Sequence, residues 1–209
     1  MTTEAKFWDN IADKYAASPV KNVTAFERKQ AITREYLRPD SNVLEIGCGT
    51  GSLALALSAH AGHIHALDFS AEMLRIARGK QQAQSVSNVT FREGTLDSAV
   101  PFEAETFDTA LAFSILHLVP DRRQVLRNIW KLLKPGGTFI SSNACLSDSW
   151  IPFGPLIRVA RWFGKAPVVH CYDRATIMRE MRDVGFSQVQ ERDVGAEKMI
   201  ALIVASKPA

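Results

Sequence analysis

This 209-residue sequence predicts an α/β fold, a mostly parallel sheet with helices on both faces. Three observations carry that expectation. Apolar runs of strand length alternate with stretches of helical periodicity, which is the pattern of βαβ units. The first such run, Val43-Leu44-Glu45-Ile46, passes straight into Gly47-Cys48-Gly49-Thr50-Gly51. Glycines at every second position behind a strand allow left-handed backbone angles and a close approach of main chain to a ligand. Residues 107–113 are nearly continuous in apolar side chains, as a strand covered on both faces requires.

Taken in order, residues 7–17 and 24–37 read as helices, and Arg38-Pro39-Asp40-Ser41-Asn42 is a turn. Strand one is 43–46, and the alanine- and leucine-rich stretch 51–61 is a helix whose first turn points N–H groups at a ligand. Strand two is 64–67. Ser70 caps the next helix and Glu72 sits in its first turn. Strand three is 89–92 and strand four 107–113. Asp121 opens a helix reaching Leu133, which Lys134-Pro135-Gly136-Gly137 ends, and strand five is 138–142. Asp173 caps a helix that Gly185 stops. Residues 189–193 and 200–205 close the chain as an antiparallel pair. No repeat or low-complexity tract interrupts this alternation, so one domain over 1–209 is expected.

The glycine loop is spaced G-x-G-x-G, unlike the G-x-G-x-x-G that cradles a pyrophosphate. Asp68 closes the second apolar run about 20 residues on, where an acid can accept hydrogen bonds from ribose hydroxyls. With Glu45 two positions ahead of Gly47, these residues resemble motif I and the following acidic position of class I S-adenosylmethionine-dependent methyltransferases. They look most like the ubiquinone/menaquinone-methyltransferase-like group. Phe7-Trp8-Asp9-Asn10-Ile11-Ala12-Asp13-Lys14-Tyr15 resembles that group's entry helix, and Pro101-Phe102 with Thr106-Phe107-Asp108 fits its strand-four approach.

The resemblance implies a Rossmann-like seven-stranded sheet in the order 3-2-1-4-5-7-6, strand 7 antiparallel, with S-adenosyl-L-methionine as cofactor. It implies that Gly47, Cys48, Gly49 and Gly51 bring backbone to the cofactor, that Glu45 orders the loop, and that Asp68 holds the ribose. Tyr15 would cap the methionine end, and Lys21 is a weaker candidate to pair with its carboxylate. Phe69 and Met73 would lie on the adenine, although Met73 equally continues an apolar helical stripe with Leu74 and Ala77. The family usually places aspartate directly after Gly94; here Thr95 stands there, Leu96 follows, and the acid comes at Asp97. Either Asp97 or Thr95 with backbone would then hold the adenine. Backbone at Phe113 and Ser114 would pass near the sulfonium. His117 is a candidate general base, with a pocket-shaping role as the alternative. No other catalytic residue is named, and the cysteines have no metal-type spacing.

Composition narrows the partners. A net charge of +3 without a dense Lys/Arg cluster gives no case for nucleic acid. No apolar run approaches the length of a spanning helix, Glu4, Asp9 and Asp13 argue against a signal peptide, and three cysteines suggest reduced thiols in the cytosol. Residues 1–40 are expected to cover the cofactor and residues 144–172 to form a substrate lid. That insert holds Trp150, Phe153, Trp162, Phe163 and Tyr172 with Arg158, Arg161 and Lys165, and no acid between Asp148 and Asp173. Three readings stand for it: a mobile lid over a small hydrophobic acceptor, a packed core insert, and a peripheral membrane contact. For the whole chain, a lipid methyltransferase at a membrane surface, a nicotinamide enzyme and a non-catalytic cofactor-binding module stand beside the soluble methyltransferase.

Overall fold

The computed structural model describes residues 3–20, 22–96, 102–162 and 166–209. Asp97, Lys21, Phe163 and Lys165 lie outside them. Among the described residues the strands are β1 (Asn42–Ile46), β2 (His63–Asp68), β3 (Val89–Glu93), β4 (Phe107–Phe113), β5 (Leu133–Ala144), β6 (Ser187–Arg192) and β7 (Ile200–Ser206). They form one sheet in the order β3-β2-β1-β4-β5-β7-β6. β7 runs antiparallel to both its neighbours and the other pairs are parallel. The helices are α1 (Thr3–Ala17), α2 (Val23–Arg34), α3 (Ser52–Leu57), α4 (Ala71–Ala83), α5 (Arg122–Leu132), α6 (Phe153–Trp162) and α7 (Arg174–Val184).

Period two along the strands sorts the core into two clusters. Leu44 and Ile46 face one side with Val125, Leu126 and Ile129 of α5 and Ile177 and Met181 of α7. Val43 and Ile64 face the other with Leu53 and Leu57 of α3 and Leu74 and Ala77 of α4. The capping residues do what their chemistry allows. The Ser70 hydroxyl accepts from the Met73 amide at 3.2 Å, the Asp121 carboxylate from Gln124 at 2.9 Å and the Asp173 carboxylate from Thr176 at 2.7 Å. Gly185 ends α7 at φ +113.

Several boundaries differ from expectation: α1 begins at Thr3 and α2 ends at Arg34. The helix after the glycine loop is short, and Ser58–His60 continues it as a 3₁₀ turn. β5 begins at Leu133, earlier than expected, because the chain re-enters the sheet at once: Leu133 pairs with Phe107, a register shift follows, and Gly136 sits at φ +75. The turn signal Lys134-Pro135-Gly136-Gly137 is therefore an irregularity inside a strand.

Candidate active site

The strand–loop–helix junction at β1 builds the floor of the site. Gly47, Gly49 and Gly51 all have left-handed φ, at +64, +52 and +72. A Cβ on Gly47 would lie 2.5 Å from the Ile115 side chain, and one on Gly51 would lie 2.6 Å from the Phe91 ring. At Gly49 nothing comes within 4 Å, so only backbone angle demands glycine there. Hydrogen bonds lash the loop to β2: the Cys48 amide donates to the Leu67 carbonyl at 2.9 Å, and the Gly49 amide to Asp68 Oδ2 at 2.8 Å. Asp68 Oδ1 accepts from the Ser70 amide at 2.9 Å. Asp68 thus has a structural duty as well as its expected ligand duty. Each carboxylate oxygen can still accept a second hydrogen bond.

A cavity of about 890 Å³ opens at this carboxyl edge, where open α/β sheets take ligands. Gly47, Asp68, Phe69, Thr95 and Leu96 border it, with Glu93 and Gly94 beside them. Ile115, Leu118, Val119 and Val125 make an apolar wall. Trp8 and Asp9 of α1 close one side, and Arg161, Val168 and His170 of the insert close another. Asp9 Oδ1 accepts from the Ser70 hydroxyl at 2.6 Å and the Glu72 amide at 3.2 Å, which pins α1 over the cavity.

Several expected residues stand elsewhere. Tyr15 is 52% exposed and edge-on to Trp8, and of this helix Trp8 and Asp9 border the cavity. Met73 is buried within the helical stripe it shares with Leu74 and Ala77 and is not among the residues that border the cavity. Phe113 packs against the core, and Ser114 turns the chain at φ +57, its amide donating to the Ser142 carbonyl at 2.8 Å. Phe153 is half-buried, while Trp150 and Trp162 are 92% and 88% exposed, so neither tryptophan lines the cavity and neither is a packed core residue. Tyr172 is the reverse: it is buried, donates to Asn143 Oδ1 at 3.2 Å, and carries the Arg122 guanidinium 4.0 Å above its ring. His170 was missed; its amide donates to the His117 carbonyl at 2.8 Å, a contact between distant segments with no local sequence signal.

Burial decides the protonation states. Glu45 is fully enclosed beneath the loop with Oε2 unpartnered among the described residues. Desolvation, reinforced by the Asp68 charge, pushes its pKa up to about 8. Desolvation also raises Asp68, against the amides that hold it. Burial, then Glu45 and Asp68, push the Cys48 thiol well up, so it stays a neutral thiol. His117 has a buried Nδ1 without a partner among the described residues, and burial pulls its pKa down to about 4. It is a neutral ring at physiological pH and does not border the cavity. The site therefore fits S-adenosylmethionine in its donor set: an acid at the tip of β2, open backbone at the glycine loop, and Phe69 beside Thr95 and Leu96 for an aromatic base.

Comparison with known proteins agrees with the geometry. The family described as a methyltransferase domain matches residues 37–183. A demethylmenaquinone methyltransferase of Lactiplantibacillus plantarum is 36% identical over 141 residues, covering 65% of this chain and 57% of that protein. One from Bacillus mycoides is 33% identical over 150 residues, covering 68% and 60%. The matched stretch spans less than two thirds of either relative's length. A Pyrococcus horikoshii protein, PH0226, superposes with TM-score 0.75 at 22% identity over 91% of this chain and 92% of its own, which is a likeness of fold. The strand order and antiparallel β7 agree with that likeness. The chain belongs to the methyltransferase-domain family, the class I group whose methyl donor is S-adenosylmethionine.

Proposed function

We infer that this protein transfers a methyl group from S-adenosylmethionine to a small hydrophobic acceptor. The observation that carries the reading is the cavity itself, which joins the carboxylate and open backbone of the β1–β2 edge to an apolar wall. When bound, the cofactor supplies a methyl already activated on a sulfonium. The chain's own task is then to align and to exclude water. Asp68 and the glycine loop fix one partner, and Ile115, Leu118, Val119 and Val125 enclose the other. Such alignment can supply about 7–11 kcal/mol in favourable cases. His117, neutral and off the cavity, is a poor candidate for the base; His170, on the cavity wall, is the better placed histidine.

We assign residues 1–40 and 144–172 the covering roles, because α1 contributes Trp8 and Asp9 and the insert contributes Arg161, Val168 and His170. The names of the relatives favour a quinone-type ring as acceptor. Three free cysteines suit a reducing, cytosolic setting. Calorimetric titration and label transfer test the reading together. S-adenosylmethionine should bind, NAD should not, and label from the methyl group should enter a reduced naphthoquinone. Tight NAD binding without heat from S-adenosylmethionine would overturn the cofactor assignment. Binding without transfer to any ring acceptor would overturn the acceptor assignment alone.

A further inference from the structure

α6 is an unusual element of this fold, with none of its residues fully buried. Gly154 and Pro155 fall in its first turn, where proline's missing N–H costs nothing, so these residues do not prevent the helix. Phe153, Ile157 and Ala160 share its inner, half-buried face. Pro155, Leu156, Val159 and Trp162 recur at i, i+1, i+4 and i+7 and share the opposite face. That outward face is apolar: Leu156 and Val159 are each 56% exposed, Trp162 is 88% exposed, and Trp150, just ahead of the helix, is 92% exposed. Arg158 is exposed as well, Arg161 stands between solvent and the cavity, and no acidic residue occurs between Asp148 and Asp173.

We propose that α6, with Trp150, is a docking surface for an anionic lipid bilayer. The proposal stands on this surface and not on the methyl-transfer reading. A ten-residue helix cannot cross a bilayer. An outward apolar stripe flanked by arginines and by tryptophans suits the headgroup boundary, where an indole's apolar body and polar edge are both accommodated. Charge favours the anionic lipid over a second copy of this chain. A two-fold pairing of the same face would bring the arginines of both copies together with no acid between Asp148 and Asp173 to compensate. Because Arg161, Val168 and His170 of the same insert border the cavity, docking would bring the cavity's mouth to the lipid.

Vesicle co-sedimentation of the full chain tests this, with phosphatidylcholine alone or mixed with phosphatidylglycerol. The wild type should partition onto the mixed vesicles, less so as salt rises. The double substitution Trp150→Ala and Trp162→Ala should lower the partition coefficient by tenfold or more. Arg158→Gln should lower it several-fold and blunt the preference for phosphatidylglycerol, whereas Lys131→Gln on α5, with the same loss of charge, should not. Brominated acyl chains should quench the wild type's tryptophan fluorescence, a readout that needs no variant. Thermal melts and S-adenosylmethionine titration on the same variants should match the wild type, since these side chains face outward. The proposal fails if the wild type stays in solution with mixed vesicles, or if the tryptophan variant binds them equally well. It also fails if ultracentrifugation shows a dimer that the tryptophan substitutions dissociate, which would identify a second copy as the occupant.

Discussion

Glu45 shows how much a single residue's role depends on what lies above it. Its place ahead of the glycines was legible in the sequence, but its burial was not, because α3 and the loop that cover it come from later in the chain. With a folded pKa of about 8 against an ordinary 4.5, the folded state keeps a proton that the unfolded state has lost. Stability therefore falls as pH rises through that window, by a ceiling of about 5 kcal/mol. His117 acts oppositely and lower down, since its proton is lost near pH 4 in the folded state. Comparing the wild type with Glu45→Gln cancels the histidine. The wild type's melting temperature should fall by several degrees more than the variant's between pH 5 and pH 8.5; parallel slopes would show that Glu45 is ionised when folded. The glycines separate in the same way. Gly51→Ala forces a methyl against Phe91 and Ala77 as well as a strained φ, whereas Gly49→Ala incurs only the backbone strain of about 1–2 kcal/mol. Urea unfolding should show the larger loss at Gly51, although the two glycines look alike in sequence.

At the scale of elements, alternation and caps carried the reading, and orientation was where it ran out. Ser70, Asp121, Asp173 and Gly185 mark helix ends through local hydrogen bonds and local backbone angles, so the sequence shows them directly. Which way an aromatic residue faces depends on distant partners. Tyr172 and Trp162 belong to the same acid-free stretch between Asp148 and Asp173, yet one is core and the other solvent-facing. The reason lies in α5 and α7: Arg122 reaches Glu180 through Nε at 2.6 Å and Nη2 at 2.9 Å, and its guanidinium covers the Tyr172 ring. Arg122 and Glu180 side chains are only 14% and 8% exposed. Breaking a pair that buried leaves an uncompensated charge and costs about 3–5 kcal/mol. Glu180→Leu should therefore destabilise the fold strongly in denaturant titrations. The double variant Arg122→Met with Glu180→Leu should recover much of that loss, unless the cation over Tyr172 is the larger contribution.

For the whole molecule, the sheet positions the site and α1 completes it. The sheet order was anticipated from the family resemblance, since the alternation alone implies only an α/β sheet. The cavity's composition was not, because Trp8, Asp9, Arg161 and His170 meet only through the fold. α1 is held chiefly against α4, by Asp9 on Ser70 and Glu72 and by the exposed Arg75–Asp13 pair at 3.0 Å. An exposed pair contributes under about 1 kcal/mol, so Asp9 is the main polar tether. A ligand that binds only the folded chain adds about 2.7 kcal/mol at one hundred times its dissociation constant. For a chain of this size that corresponds to a rise in melting temperature of roughly 5–10 °C. S-adenosylmethionine should produce such a shift in the wild type. Asp9→Ala removes a surface tether and leaves both core clusters intact, so the ligand-free melting temperature should change by no more than a few degrees. The same variant frees the helix that walls the cavity, so the shift at equal ligand concentration should shrink markedly. Scanning calorimetry with and without ligand separates the two effects. An undiminished shift in Asp9→Ala would mean that α1 packs over the site without helping to hold what binds there.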